Sequence, residues 1–143
     1  MRPRHATKGD LPDVKALLQS CTLPSESIGG KSVQFLVSRE KTSLLGCIGA
    51  QELDGKVALL RELVVAERAR RAGLAALMVS VLVADLRMRG IESLVVSTNN
   101  AVGYFSRLGF TPVDRKKVLP ESLASQELSN GNTRGMVLMR VEL

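Results

Sequence analysis

Between Gly73 and Arg89 the residues Leu74, Leu77, Met78, Val81, Leu82 and Leu86 recur as one apolar helical face, with Arg87 and Arg89 at its negative end ahead of Gly90. A helix this regular, set between the β-branched runs "VALLRELVV" and "IESLVVST", belongs against a sheet. Its start is unusual, because "RARRAG" places three arginines immediately before a segment that has to be buried. A helix start leaves several backbone N–H groups unpaired and carries the positive end of the macrodipole, so it attracts an anion. Gly73 lets the backbone approach a ligand with no Cβ in the way, and Arg70 and Arg71 offer charge-assisted hydrogen bonds to phosphate oxygens. The same residues also fit a solvated basic loop before an ordinary helix, and on their own they do not choose between the two.

The remainder of the 143-residue chain reads as strands and helices in alternation. Arg2 to Ala6 suggest a first strand. A helix follows, with Asp10 as N-cap, Pro12 in its first turn and Leu11, Val14, Leu17 and Leu18 at helical spacing. "LPSESIGG" is turn-rich, and "SVQFLVSR" has strand composition. Ser43 to Glu52, a hairpin signal at Asp54-Gly55 and Lys56 to Val65 complete an antiparallel meander. Beyond the long helix, "IESLVVST" predicts a buried strand, Asn100 to Leu108 a short helix with Gly109 as its C-cap, and "FTPVD" a further strand. That strand, helix, strand unit implies parallel pairing nearby. "LPESLASQEL" predicts a helix opened by Pro120, "SNGN" a turn, and Arg134 to Glu142 a last strand. The expected fold is α/β (α+β): a mixed, mostly antiparallel twisted sheet of about seven strands flanked by helices, forming one domain over residues 1–143.

Composition narrows the function. A net charge of +6 favours an anionic partner, which leaves nucleic acid, a membrane surface and a phosphorylated small molecule open. With aromatic residues at 3%, no Trp and one Tyr, stacked-base recognition has little to work with. Cys21 and Cys47 form no CxxC pair and His5 is the lone imidazole, so neither a zinc site nor a disulfide framework is expected, and both thiols suit a reduced, cytoplasmic protein. "MRPRHATKGD" has no apolar stretch behind its charges, and Gly73 to Ala84 is too short to span a bilayer, so export and membrane insertion are not expected. No GxxxxGK[ST] and no GxGxxG follows a strand, which sets aside the P-loop and the dinucleotide fingerprint.

"RELVVAERARRAGLA" resembles the acetyl-coenzyme A signature of the GNAT acetyltransferases, in which a bulged strand leads to Q/R-x-x-G-x-G/A at a helix start. Arg70, Arg71, Ala72, Gly73, Leu74 and Ala75 match that pattern. "RPRHATKGDLPDVKALL" is similar to the family's first strand and helix, and "NNAVGYFSRLGFTPV" to its later segment. The amino-acid acetyltransferase branch resembles the chain more closely still. That branch includes the N-acetylglutamate synthase domain and the small acetyltransferases found beside arsenic-resistance genes. The likeness there rests on Thr98, Phe105 and the tail "VLPESLASQELSNGNTRGMVLMRVEL". The resemblance implies the GNAT fold and acetyl-coenzyme A as cosubstrate with no metal. It also implies a small-molecule amine as acceptor, rather than nucleic acid or membrane, and pairing of two copies through the C-terminal strands. It assigns the carrier to backbone N–H groups of Leu63, Val64 and Val65 beyond the bulge, to the Arg70–Ala75 loop, and to Thr98 and Phe105. Departures are visible as well. Arg71 stands where a second glycine is common, and Phe105 stands where many members carry the tyrosine that protonates the departing thiolate. Tyr104 is the neighbour of that position, and neighbouring helical side chains point about 100° apart, so Tyr104 reads as packing or pocket wall.

Transfer of an acetyl group to an amine needs the amine neutral, and an α-amino group with a pKa of about 8 is mostly protonated at neutral pH. Glu62, near the cleft end of its strand, is the candidate base; an exposed strand carboxylate paired with an arginine is the alternative. Arg134, and Arg61 if a bulge rotates it, are the candidate partners for a substrate carboxylate, with surface charge as the alternative for each. His5 reads as structural. Beside the small-amine enzyme stand a peptide or protein acetyltransferase, a non-catalytic coenzyme A sensor suggested by the missing tyrosine, and a nucleic-acid binder suggested by charge alone.

Overall fold

Side-chain alternation in the β-branched runs sorts one sheet into two buried faces. The computed structural model describes residues 2–20, 33–53, 56–70, 73–99, 101–114 and 137–143. In chain order the elements are β1 (Arg4–His5), α1 (Leu11–Ser20), β2 (Val33–Glu40), β3 (Ser43–Glu52), β4 (Val57–Val65), α2 (Leu74–Met88), β5 (Ser93–Thr98), α3 (Val102–Arg107), β6 (Thr111–Pro112) and β7 (Val137–Glu142). The strands join into a single seven-stranded mixed sheet in the order β1-β2-β3-β4-β5-β7-β6.

Phe35, Val37, Cys47 and Val64 point to one face, where Val14 and Leu18 of α1 cover them. Leu36, Ile48, Leu60, Leu94 and Val96 point to the other, where α2 lays down Leu74, Met78, Val79, Leu82 and Leu86. The predicted apolar stripe of α2 is therefore the stripe that is buried, apart from Val81, which is half-buried, and Leu77, which is 45% exposed. Gly46 permits the approach: a Cβ there would meet the Met78 Cε at 2.9 Å and the Val64 carbonyl oxygen at the same distance.

Several expectations are met with adjusted limits. The meander β2-β3-β4 is antiparallel throughout, β3 spans the expected residues, and the helix foreseen over Gly73 to Arg89 starts one residue later, with Gly73 as its N-cap. The first strand contracts to Arg4–His5, and the helix expected from Asn100 to Leu108 becomes α3. Gly109 ends it at φ +99°, the left-handed conformation that suits glycine. Asp10 stands directly before α1 as expected, but its carboxylate turns backward. It accepts from the Thr7 amide at 2.8 Å and the Thr7 hydroxyl at 3.0 Å, closing a 3-10 turn over Lys8–Asp10.

The parallel pairing needs a correction. β4 and β5, joined across α2, are the parallel pair. β5 and β6 run the same way without touching, because β7 lies between them, antiparallel to both. "LPSESIGG" with Cys21, the Asp54-Gly55 turn, the helix expected at "LPESLASQEL", the "SNGN" turn and Arg134 all fall outside the described residues. No helix of the described residues is long and apolar enough to cross a membrane.

Candidate active site

The site begins with a slip in register. On β3, Gly49 pairs with Glu62 but Ala50 pairs with Leu60, so Arg61 is an extra residue on β4, a β-bulge. Beyond it β4 turns from its parallel neighbour: β4 and β5 pair only at Val57, Ala58 and Leu59. From the bulge to Val65 one edge of β4 has no strand beside it among the described residues. The ladder decides which groups face that opening. The Ala66 amide donates to the Leu45 carbonyl at 2.7 Å, and by the alternation of an antiparallel ladder Val64 and Glu62 bond toward β3. The N–H and C=O groups of Leu63 and Val65 therefore point into the opening.

Opposite this edge stands the start of α2. Gly73 is its N-cap at φ +80°, and a Cβ there would meet nothing within 4 Å. The first N–H groups of the helix have no partner one turn back, and the dipole concentrates partial positive charge there. Between the two lies a cleft of about 390 Å³, floored by Leu63 and Val65, bounded by Ala69 and Arg70 on the loop and by Gly73, Leu74, Ala75 and Ala76 on α2, and closed by Tyr104 of α3. Arg70 donates from Nε to the Val65 carbonyl at 3.0 Å, so it ties the loop to the open strand edge while keeping its cation at the cleft. Among the described residues no group of three or more His, Cys, Asp or Glu is placed to hold a metal ion.

A model of the acetyltransferase (GNAT) domain family matches residues 15–119. The chain belongs to the GNAT acetyltransferase domain family. An uncharacterized N-acetyltransferase of Chlorobaculum tepidum is 30% identical over 89 residues, covering 62% of this chain and 56% of that protein. The N-acetylglutamate synthase of Neisseria gonorrhoeae, solved with coenzyme A and N-acetyl-glutamate, superposes over 99% of this chain and 34% of its own, with a TM-score of 0.81 and 22% identity. Rv2747 of Mycobacterium tuberculosis, solved in complex with coenzyme A, covers 99% of this chain and 98% of its own, with a TM-score of 0.76 and 18% identity. At these identities the structural likenesses establish the GNAT fold. The chain spans little more than half of its curated relative and about a third of the synthase.

Within this GNAT frame the predicted residues divide. Leu63, Val65, Arg70, Gly73, Leu74 and Ala75 meet at the cleft, while Arg71, Ala72 and Arg134 lie outside the described residues. Val64 does not take part: its side chain is buried under α1 and its backbone bonds to β3. Thr98 is buried, and its hydroxyl accepts from the Ala101 amide at 3.2 Å, so it organises the entry to α3 instead of lining the cleft. Phe105 packs into the core edge-to-face with Phe110 at 5.3 Å and is not among the cleft-lining residues.

Tyr104, read from sequence as packing or wall, is wall. Its hydroxyl oxygen is buried and meets no hydrogen-bond partner among the described residues. Burial pushes the phenol above the ordinary tyrosine value against the opposing pull of Arg107. Glu62 faces the α1 side of the sheet with Oε2 buried, and Gly49 makes its room: a Cβ at Gly49 would lie 3.0 Å from that oxygen and 2.7 Å from the Phe35 ring. Arg61, re-aimed by the bulge, donates from Nη1 to Gln51 Oε1 at 3.1 Å. Ala69, Ala76 and Gly49 were missed from sequence; the run "GCIGA" on a strand opposite the bulge was the available signal for Gly49.

Proposed function

We propose that the chain is an acetyl-coenzyme A-dependent N-acetyltransferase acting on a small amine, an amino acid or an analogue of one. The observation that carries this is the open edge of β4 facing a glycine-started helix. The residues present fit the carrier. Gly73 leaves space where a phosphate must approach backbone, Leu63 and Val65 offer strand-like N–H and C=O groups to an extended amide-bearing arm, and the lining between them is mostly aliphatic. Bound there, acetyl-coenzyme A supplies the activated acetyl thioester.

Roles follow for the protein's own groups, by placement for all but Arg134, which lies outside the described residues and enters through the tail motif alone. The start of α2 and Arg70 hold the anionic end. The edge of β4 orients the arm so that reacting atoms are held rather than found by diffusion. Glu62, beside the bulge and on the other face of the sheet, accepts the proton that the attacking amine must lose. Arg61 and Arg134 are the guanidinium groups for a substrate carboxylate. The likeness to the gonococcal synthase, which was solved with N-acetyl-glutamate, supports an amino-acid acceptor.

The experiment is a thermal-shift and calorimetric titration with acetyl-coenzyme A, followed by thiol release with a panel of amino acids, aminoglycosides and peptides. A rise in melting temperature with the carrier and thiol release with an amino acid is the expected result. Release with peptides alone replaces the acceptor. Binding with no release from any amine turns the reading into a coenzyme A sensor, which the phenylalanine at Phe105 favours. No binding removes the activity altogether.

A further inference from the structure

Tyr104 holds the one hydroxyl in the described cleft lining. Its oxygen is buried without a hydrogen-bond partner among the described residues, an arrangement folded proteins avoid unless something else satisfies the group. Packing does not account for it. The ring meets Phe105 edge-to-face at 5.4 Å and 80°, and Phe105 meets Phe110 in the same way, so a phenylalanine at 104 would fill this place equally well. The hydroxyl is therefore surplus to the fold.

The wall opposite explains what it is for. Leu63 and Val65 present one strand edge, and an extended arm bearing amides and a thioester has carbonyls on both of its own edges. Those turned away from β4 need donors. In the described lining the side chains able to donate are Arg70 and Tyr104, and the Arg70 Nε bonds to the Val65 carbonyl. We propose that the Tyr104 hydroxyl is a binding group of this cleft, donating a hydrogen bond to a carbonyl oxygen in the arm of the acyl carrier. This rests on the cofactor reading above. It assigns Tyr104 to recognition of the arm, a role separate from protonating a leaving group. Burial holds the phenol in its protonated form, which is the form that donates.

The chain has one Tyr and no Trp, so Tyr104 reports on itself. Protein labelled with carbon-13 at the tyrosine ζ carbon gives a single resonance. It is titrated with acetyl-coenzyme A, with coenzyme A, and with adenosine 3′,5′-bisphosphate, which keeps a phosphorylated nucleotide but has no arm. The resonance is expected to move with the first two and stay with the third. Movement with both assigns an amide carbonyl, and movement with acetyl-coenzyme A alone assigns the thioester carbonyl. Tyr104→Phe is expected to weaken acetyl-coenzyme A by roughly 3- to 10-fold, the span of one neutral hydrogen bond. It should leave the bisphosphate affinity unchanged and the melting temperature of the free protein unchanged or raised, since an unsatisfied buried hydroxyl is removed. An unmoved resonance under calorimetrically saturating acetyl-coenzyme A overturns the assignment, as does an unchanged affinity in Tyr104→Phe. A clear fall in the melting temperature of the free variant also overturns it, because the hydroxyl then serves the fold. If calorimetry detects none of the three probes, the cofactor reading itself fails and this assignment with it.

Discussion

Two arginine-rich helix starts in this chain use their charge in opposite ways. Ahead of α1, Asp10 accepts from Arg4 Nη1 at 2.8 Å and from Arg39 Nε at 2.8 Å, and Arg39 reaches on to Asp13 at 2.6 Å. The Asp10 carboxylate is 5% exposed, its capacity is spent within the protein, and the cluster locks β1, β2 and α1 together. Ahead of α2, Arg70 is exposed, the first amides of the helix have no partner one turn back, the edge of β4 is open and a buried hydroxyl has no partner among the described residues. Basic residues before a helix therefore say little by themselves. What distinguishes a site from a brace is whether the backbone amides and hydroxyl that face it already have acceptors.

If that distinction holds, variants at the two places separate activity from stability. The largest effect is expected for Glu62→Gln, a loss of about 100-fold in turnover at pH 7, the usual minimum for removing a general base. The deficit should be smaller at pH 9, where more of the amine is already neutral; an unaltered pH profile takes Glu62 out of that role. Gly49→Ala, which crowds the same carboxylate, should move the profile in the same direction.

Asp10→Asn is next, costing about 2 to 3 kcal/mol of unfolding free energy in a denaturant titration. That is the effect of removing one member of a mostly buried charge cluster, reduced because Arg4 is half in water. The pH dependence has a definite sign. Hydrogen bonds from Arg4 first, then from the Thr7 amide, hold the Asp10 carboxyl well below the ordinary carboxylate range. Its contribution is thus complete above about pH 4 and drains away as pH falls further, and in Asp10→Asn that acid limb should flatten. Affinity for acetyl-coenzyme A should be unchanged; a matching loss of affinity would erase the division between brace and site.

Gly73→Ala should do the reverse. Left-handed backbone costs an alanine about 1 kcal/mol, and its methyl enters the open space before α2, so affinity should fall about tenfold with only a small change in melting temperature. The smallest effect belongs to His5→Ala. Its 2.9 Å pair with Asp85 is exposed, and the loss should stay within a few tenths of a kcal/mol with no change in cofactor affinity.

The parts visible in the sequence were those with a local cause. The stripe of α2 and the alternation of the meander are periodic, and the glycine before Leu74 carries its own backbone requirement. Phe105 and Thr98 lie off the described cleft lining, and position along the chain does not say which way a side chain turns. Thr98 spends its hydroxyl on Ala101, and the ring of Phe105 goes to the core while its neighbour takes the wall. Asp10 was expected to cap α1, yet its carboxylate turns back to Thr7, and its tie to Arg39 spans 29 positions that no spacing announces. Gly49 opposite Glu62 is likewise a matter of cross-strand register, which a bulge at Arg61 shifts by one.

The place of β7 inside the sheet, one strand from its edge, bears on how the molecule is made. Residues 137–142 fill the slot between β5 and β6, so every earlier strand is synthesised before that slot can close. Until then β5 and β6 each carry a bare hydrogen-bonding edge able to recruit a stranger. Pairing of β7, more than formation of the helices, is the step that closes those edges.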